Sequence, residues 1–139
     1  MSIQSTSLGQ TGLTVSRLGL GTVEIGLPYG IGATALPSDK EAERILKTAL
    51  ELGITYFDTA RGYGVAEERL GKFGISKKKG VVIGTKCGQF LKQEPNLAGS
   101  ALDNRIRADI DLSRRALRHD SLPLVLLHLV REDANNFDE

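Results

Sequence analysis

The sequence predicts an α/β fold built around a parallel β-sheet. Apolar, β-prone runs alternate along the chain with segments of helical periodicity. The runs end at Thr22, Asp58, Lys86 and His128, roughly 30 to 40 residues apart, which is the length of one strand–helix unit. Consecutive units of this kind place their strands side by side and parallel, with right-handed crossovers.

The composition is that of a globular protein with one core. The chain has 139 residues, 40% of them hydrophobic and 25% charged, so we expect a single domain over residues 1–139. Its 18 basic and 17 acidic residues leave a net charge of +1, which gives no reason to expect nucleic acid or a membrane as partner. We find no signal pattern or membrane-spanning run. With a lone cysteine, Cys87, we expect a cytoplasmic protein.

The start of the chain predicts a hairpin, a strand and a loop. Leu8 and Val15 flank Gly-Gln-Thr-Gly, which is the pattern of a small β-hairpin. Residues 17–22 predict a first buried strand that ends in Gly-Thr. Residues 23–37 hold three glycines and two prolines, so we interpret them as a long loop of the kind that often has a function.

The first helix has clear start and stop signals. Ser38 and Glu41 form a capping-box pattern, and Gly53 marks the end of the helix. Apolar side chains recur on one face between these points. They are Ala42, Ile45, Leu46, Ala49 and Leu52.

A second strand and a shorter helix follow. Residues 55–60 predict the strand, and residues 65–73 predict the helix. Glu67 and Glu68 lie near the start of this helix, where the helix dipole favours anions. The three lysines within residues 76–80 indicate a solvated turn rather than a phosphate-binding patch.

A third strand, a third helix and a fourth strand complete the predicted elements. Residues 81–86 are apolar on both faces, as in a central parallel strand, and residues 122–128 predict a further buried strand. Ser100 and Asp103 have capping-box spacing for the third helix, whose apolar face holds Leu102, Ile106, Ile110 and Leu117. Three arginines, Arg114, Arg115 and Arg118, crowd its end, where they complement the helix dipole.

Ionisable side chains, Asp58, Lys86 and His128, end three of the four predicted strands. Taken singly, each has an ordinary explanation. Asp58 could cap a loop and Tyr63 could be a turn aromatic. Lys86 could end a strand in solvent, and His128 could be a satisfied buried histidine. Because the carboxyl ends of parallel strands form one rim, we instead expect all four to converge. Cys87 is interpreted as a bystander, since neighbouring residues of a strand point to opposite sides.

These four side chains have complementary chemistry. A tyrosine hydroxyl has a pKa of about 10, too high for an efficient proton donor at neutral pH. A nearby lysine ammonium lowers the pKa of a phenol, and a carboxylate keeps that lysine charged. A histidine can hydrogen-bond a substrate oxygen. Such a set could protonate the oxyanion that forms when a hydride reaches a carbonyl carbon.

The motifs around these residues are specific. They are Leu-Gly-Leu-Gly-Thr at 18–22, Phe-Asp-Thr-Ala-x-x-Tyr-Gly at 57–64, Ala-Glu-Glu-x-Leu-Gly at 66–71, Thr-Lys at 85–86 and Leu-Leu-His at 126–128. In these motifs the sequence resembles the aldo-keto reductases. The resemblance implies a (β/α) TIM-barrel fold with an N-terminal β-hairpin. It also implies Tyr63 as proton donor, Lys86 as its pKa-lowering neighbour and His128 as the residue that orients the substrate.

The same resemblance implies a nicotinamide cofactor. Gly21, Thr22 and Val23 would lie against its nicotinamide half, and Asp58 would pair with Lys86 and touch its ribose. Members of this family mostly use NADPH to reduce aldehydes and ketones, so we expect NADP as cofactor, with NAD as the alternative, and a small carbonyl compound as substrate. We assign no metal site.

The chain departs from the family in length. A complete barrel has eight strands and about 250 residues, whereas this sequence supplies four strands and three helices. We therefore expect half a barrel, with exposed edges at the first and fourth strands that could self-associate. The hypotheses are a truncated reductase, two copies pairing into one barrel, and a non-catalytic module that binds nucleotide or protein.

Overall fold

The computed structural model of the chain describes residues 3–30 and 35–128. An antiparallel hairpin opens the fold, with strand β1 at Ser5–Ser7 and strand β2 at Thr14–Ser16. Thr6 lies opposite Val15 in this pair. The predicted hairpin is confirmed.

Four parallel strands form the main sheet. They are β3 (Gly19–Gly21), β4 (Tyr56–Asp58), β5 (Val82–Cys87) and β6 (Leu124–Leu127). Their order in the sheet is their order in the sequence, and each neighbouring pair is parallel. The connections contain helices α1 (Asp39–Glu51), α2 (Ala66–Lys72) and α3 (Gly99–Leu117). The predicted parallel α/β fold is therefore confirmed.

The core lies between the sheet and the helices. Phe57 of β4 is fully buried there, together with side chains from α1, α2, α3 and the turn after α2: Leu46, Leu70, Leu117 and Ile75. Burying a side chain of this size contributes about 2 kcal/mol, so this layer holds the helices on the sheet. It thereby places the carboxyl ends of β4 and β5 at fixed positions.

The predicted start of α1 is confirmed, but its apolar face is narrower than expected. The Ser38 backbone NH donates to Glu41 Oε2 at 2.9 Å, and the Ser38 hydroxyl accepts from the Glu41 NH at 3.3 Å. Ile45 and Leu52, predicted on the apolar face, are 39% and 56% exposed. Ile45 lies at the margin of the face, and Leu52 caps the helix where the chain turns away at Gly53.

The first and fourth strands are less buried than their apolar sequences predicted, whereas the exposed edges expected for half a barrel are present. Strand β3 has only three residues, and both of its glycines are exposed. In β6 the side chains of Val125, Leu126 and Leu127 are all exposed, Leu127 by 49%. These strands form the two edges of the sheet, and no other element in the described part of the chain covers these side chains.

The predicted cap of α3 is also wrong. The helix begins at Gly99 with Ala98 as its N-cap, and no side chain caps it. Ser100 therefore lies inside the first turn, with helical backbone, where a capping residue needs an extended one. At the other end, Arg118 falls just beyond the helix in the left-handed conformation.

Parts of two predicted segments lie outside the described residues. The loop at 23–37 begins with a short 3-10 helix, Val23–Ile25, but its residues 31–34 are not described. The second segment is the tail at 131–139, whose polar and acidic sequence predicts no packing, and it also lies outside the described range.

Candidate active site

One lysine ammonium connects the carboxyl ends of β4 and β5. Lys86 Nζ donates a hydrogen bond to Asp58 Oδ1. It also donates to the Thr59 carbonyl oxygen at 3.1 Å and to Tyr63 Oη at 3.3 Å. The convergence of Asp58, Tyr63 and Lys86 that the sequence predicts is therefore present.

The register of the sheet explains this meeting. Asp58 lies opposite Gly84, and Lys86 follows two residues later on the same face of β5. Tyr63 stands in the turn between β4 and α2, and the NH of Thr59 at the start of that turn donates to the Gly84 carbonyl at 2.8 Å. The turn is thus held against β5 by main-chain bonds.

His128 completes the group from the next strand. Its backbone NH donates to the Cys87 carbonyl at 2.6 Å, directly after β6. Its ring meets the Tyr63 ring edge-on, with centroids 5.6 Å apart and planes at 88°. His128 Nδ1 is buried and has no hydrogen-bond partner among the described residues. A buried polar atom of this kind needs a partner, and a substrate oxygen could provide one.

The surroundings set the charges of these groups. Burial alone would lower the pKa of Lys86, but hydrogen bonds to Asp58 and Tyr63 and the negative charge of Asp58 raise it above its usual value. Burial lowers the pKa of His128, and the positive charges of Lys86 and Lys92 lower it further. At neutral pH the site therefore holds a charged lysine beside a neutral imidazole.

Close backbone packing shapes the turn that carries Tyr63. The NH of Val65 donates to the Gly26 carbonyl at 3.0 Å. A Cβ on Gly26 would lie 1.8 Å from the Tyr63 carbonyl oxygen, and one on Gly64, whose φ is +54°, would lie 2.2 Å from the Gly26 carbonyl oxygen. Only glycine fits at these two positions.

Sequence reasoning missed the role of Glu67. We predicted only that this acid lies near the start of α2, where the helix dipole favours anions, but the residue is 1% exposed and has specific partners. Its carboxylate accepts from Thr85 Oγ1 at 2.6 Å and from Arg61 Nη1 at 2.5 Å. The partners are 18 and 6 residues away, so only its place within a specific motif could have indicated a special role.

Arg69 was also missed. It is buried, and its guanidinium donates to the carbonyl oxygens of Ile25 and Pro37, each at 2.8 Å. It also donates to Asp39 Oδ1 at 3.0 Å. Arg69 therefore ties both ends of the loop after β3 to α1 and α2.

Residues 17–138 match the family model described as the aldo/keto reductase family. The chain belongs to this family. A curated relative, D-threo-aldose 1-dehydrogenase from Pseudomonas sp, is 33% identical over 92% of this chain and 44% of its own length. Pyridoxal 4-dehydrogenase from Microbacterium luteolum is 41% identical over 63% of this chain and 25% of its own length.

Solved structures of aldo-keto reductases share the fold. One, a protein from Pseudomonas aeruginosa assigned to this family, has a TM-score of 0.75 and 37% identity over 93% of this chain and 49% of its own. The parallel sheet and its helices are thus the matching part of an aldo-keto reductase (β/α) barrel. The chain spans a quarter to a half of the length of these relatives.

The end of β3 leaves space beside the candidate site. A Cβ on Gly21 would meet no atom of residues 3–30 and 35–128 within 4 Å, so the described part of the chain leaves open space over this position, which lies opposite Asp58 in the sheet. The Thr22 hydroxyl already donates to the Asp58 carbonyl oxygen at 2.9 Å and is buried. In this aldo-keto reductase, Gly21 leaves the space while Thr22 holds β3 against β4.

Cys87 has the surroundings of an unreactive thiol. It is buried, and burial together with the negative charge of Asp109 raises its pKa. A raised pKa reduces the thiolate fraction at neutral pH, in keeping with the bystander interpretation.

Among residues 3–30 and 35–128 no helix has both the length and the apolar character needed to cross a membrane.

Proposed function

We propose that this chain is the catalytic-residue half of an NAD(P)H-dependent oxidoreductase that reduces aldehydes or ketones to alcohols, with Tyr63 as the proton donor. The observation that carries the proposal is the Lys86 ammonium, which is hydrogen-bonded both to the Asp58 carboxylate and to the Tyr63 hydroxyl. Family membership and the names of the relatives support the reaction class.

Each residue has a defined part in the proposed reaction. When bound, the cofactor supplies the hydride. Tyr63 Oη gives its proton to the carbonyl oxygen, and Lys86 stabilises the phenolate that remains. Asp58 keeps Lys86 charged and oriented. The neutral His128 imidazole, whose Nδ1 has no partner within the described part of the chain, donates a hydrogen bond to the carbonyl oxygen and orients it.

We infer NADP as the cofactor, with NAD as the alternative. Relatives are named for both: an NADH-specific methylglyoxal reductase from Escherichia coli and an aldo-keto reductase from Schizosaccharomyces pombe whose name contains NADP(+). Gly21, Val23 and Asp58 would face the nicotinamide half, with Thr22 behind them. The substrate is proposed only as a small carbonyl compound.

The remaining predictions concern the domain, the cellular location, self-association and the non-catalytic alternative. A single domain over residues 1–139 and a cytoplasmic location stay predictions. Association of copies through β3 and β6 also stays a prediction, which the comparisons do not support. Nothing in the comparisons favours a non-catalytic binding module.

The proposal is tested by Tyr63→Phe. The phenylalanine ring keeps the packing against His128 but has no proton to donate. We expect aldehyde reduction to fall by about a hundredfold or more, while NADPH binding, followed by cofactor fluorescence, changes little. Tyr29→Phe is the control, because Tyr29 is 57% exposed and has no part in the site.

The measurement begins with the chain alone. NADPH titration with light scattering on the same sample shows whether the chain binds cofactor and as which oligomer. Where the chain alone does not turn over, the same substitution is tested in a chain extended to the length of the relatives. Near-normal reduction by Tyr63→Phe would refute the role of the phenol.

A further inference from the structure

Glu67 is a buried carboxylate that the proposed reaction does not use. Its side chain is fully shielded from solvent, which is rare for an acid unless it has specific partners. Burial raises its pKa, while hydrogen bonds from the Thr85 and Ser113 hydroxyls and the charge of Arg61 act in the opposite direction. The fold thus keeps a group here that is costly to bury.

Two of the polar partners of Glu67, Thr85 and Arg61, adjoin the proposed catalytic residues. Thr85 directly precedes Lys86 in β5, and its side chain points to the opposite face of the sheet. Arg61 lies two residues before Tyr63 in the turn after β4. The backbone NH of Arg61 donates to the Lys86 carbonyl at 3.1 Å. Glu67 therefore connects the turn that carries the phenol to the strand that carries the ammonium.

The contact between Tyr63 and Lys86 depends on where this turn lies. At 3.3 Å it is the longest of the three hydrogen bonds that Lys86 Nζ donates, so a small outward shift of the turn would break it. Glu68 also pairs with Arg61, at 2.9 Å, but its side chain is 49% exposed. Exposed pairs contribute little, which leaves the buried Glu67 as the main link.

We propose that Glu67 is a positioning residue of this site. By bridging Arg61 and Thr85 from the helix side of the sheet, it holds the Tyr63 turn against β5 and sets the contact between Tyr63 and Lys86. The importance of that contact rests on the proposed function, whereas the positioning itself does not require turnover.

Proton NMR of the two histidines tests the inference without an activity assay. The chain contains only His119 and His128, and His128 reports on the site because its ring packs edge-on against Tyr63. The variants are Thr85→Val, which removes one bond of Glu67 and keeps the shape of the Thr85 side chain, and Glu67→Leu, which removes every hydrogen bond of the carboxylate. Glu68→Gln is the matched control, since it weakens only the exposed bond to Arg61.

We expect both site variants to shift the His128 ring signals. The titration midpoint of His128 should rise towards the ordinary value for histidine, because a displaced turn admits water to the ring. His119 should be unchanged, and Glu68→Gln should resemble the original chain. Glu67→Gln should restore most of the His128 signal, because its amide oxygen can accept from Arg61 while its NH2 group donates to the Thr85 hydroxyl oxygen. If Glu67→Leu does not fold, Thr85→Val carries the test.

The outcomes separate positioning from mere stability. If Thr85→Val lowers the melting temperature but leaves the His128 signals and titration unchanged, Glu67 is only structural and the inference is wrong. If His128 responds while neither the chain nor a full-length enzyme binds NADPH, positioning stands and the proposed function fails. In an active enzyme, Thr85→Val should lower kcat by about tenfold or more with NADPH affinity unchanged, as expected when a proton donor is misplaced.

Discussion

At the scale of single residues, the site depends on one ammonium group. Lys86 is held by a carboxylate, a carbonyl and a phenol, and these bonds raise its pKa although the group is largely buried. The arrangement keeps a positive charge where the proposed reaction would leave a phenolate. A charge in this position is more effective than in water because the site is partly shielded.

Replacing Lys86 tests this point. Lys86→Met keeps most of the length of the side chain and removes the charged Nζ group, so the phenolate loses its stabilising partner. We expect reduction to fall by about a hundredfold. Steady-state rates across the pH range are the measurement.

The control for that experiment is Lys92→Met. Lys92 is exposed, and its positive charge also acts on the pKa of His128, so this variant removes a charge near the site without touching Tyr63. It should behave like the original enzyme. If both variants lose the same fraction of the reduction rate, the overall positive potential near the site supports the reaction, and not the contact between Lys86 and Tyr63.

At the scale of elements, the short helix α2 organises the site. It has only seven residues, too few for a helix that is stable on its own. Its buried side chains bind other segments instead: Glu67 joins β5 and the turn after β4, and Arg69 joins both ends of the loop after β3. Tertiary contacts, and not helix propensity, thus hold this element.

Arg69→Met should release the loop after β3. The substitution leaves the carbonyl oxygens of Ile25 and Pro37 without their donor, and unpaired groups of this kind cost about 2 kcal/mol or more in unfolding free energy. Urea unfolding measures the loss. Lys72→Met is the control, because Lys72 also pairs with Asp39, at 2.6 Å, but is exposed, and its loss should change stability little. Similar losses in both variants would contradict the anchoring role of Arg69.

Gly26→Ala should displace the Tyr63 turn. Its methyl group would meet the Tyr63 carbonyl oxygen at 1.8 Å, and a backbone atom cannot move aside without moving the turn. We expect a loss of about 2 kcal/mol or more in unfolding free energy. Gly21→Ala is the control for stability, since its methyl group would contact nothing. If the two variants are equally stable, Gly26 does not set this packing.

At the scale of the whole molecule, buried titratable groups make stability depend on pH. Because the pKa of Glu67 is raised above its ordinary value of 4.5, the folded chain binds this proton more tightly than the unfolded chain does. The contribution of Glu67 to stability is therefore complete below about pH 4.5 and is lost as pH rises through the raised pKa. The effect of His128 has the opposite sign, because burial lowers its pKa. Stability therefore falls as the pH drops below 6.5, the ordinary pKa of histidine.

Glu67→Gln isolates the first effect. The amide cannot titrate, so the stability of this variant relative to the original chain should increase as pH rises from about 4.5 through the raised pKa of Glu67. Urea unfolding of both chains at a series of pH values gives the difference directly. If the difference in unfolding free energy between the two chains stays constant with pH, burial does not raise the pKa of Glu67.

The sequence by itself determined the order of strands and helices and the four residues that meet at the site. These follow from local signals: apolar periodicity, the Ser38 capping box, and strands that end in Asp58, Lys86 and His128. Local signals failed where they were weak, as at the start of α3, where Ala98 rather than Ser100 precedes the helix.

Only the tertiary structure decided what each side chain contacts. Glu67 looks like any acid at a helix start until α2 packs on β5 and buries it, and Arg69 looks like a surface charge until the loop after β3 brings two carbonyl oxygens to it. The exposure of β3 and β6 likewise depends on what lies over the sheet. The physical reason is that burial and hydrogen-bond partners arise between segments far apart in the chain, which no local pattern encodes.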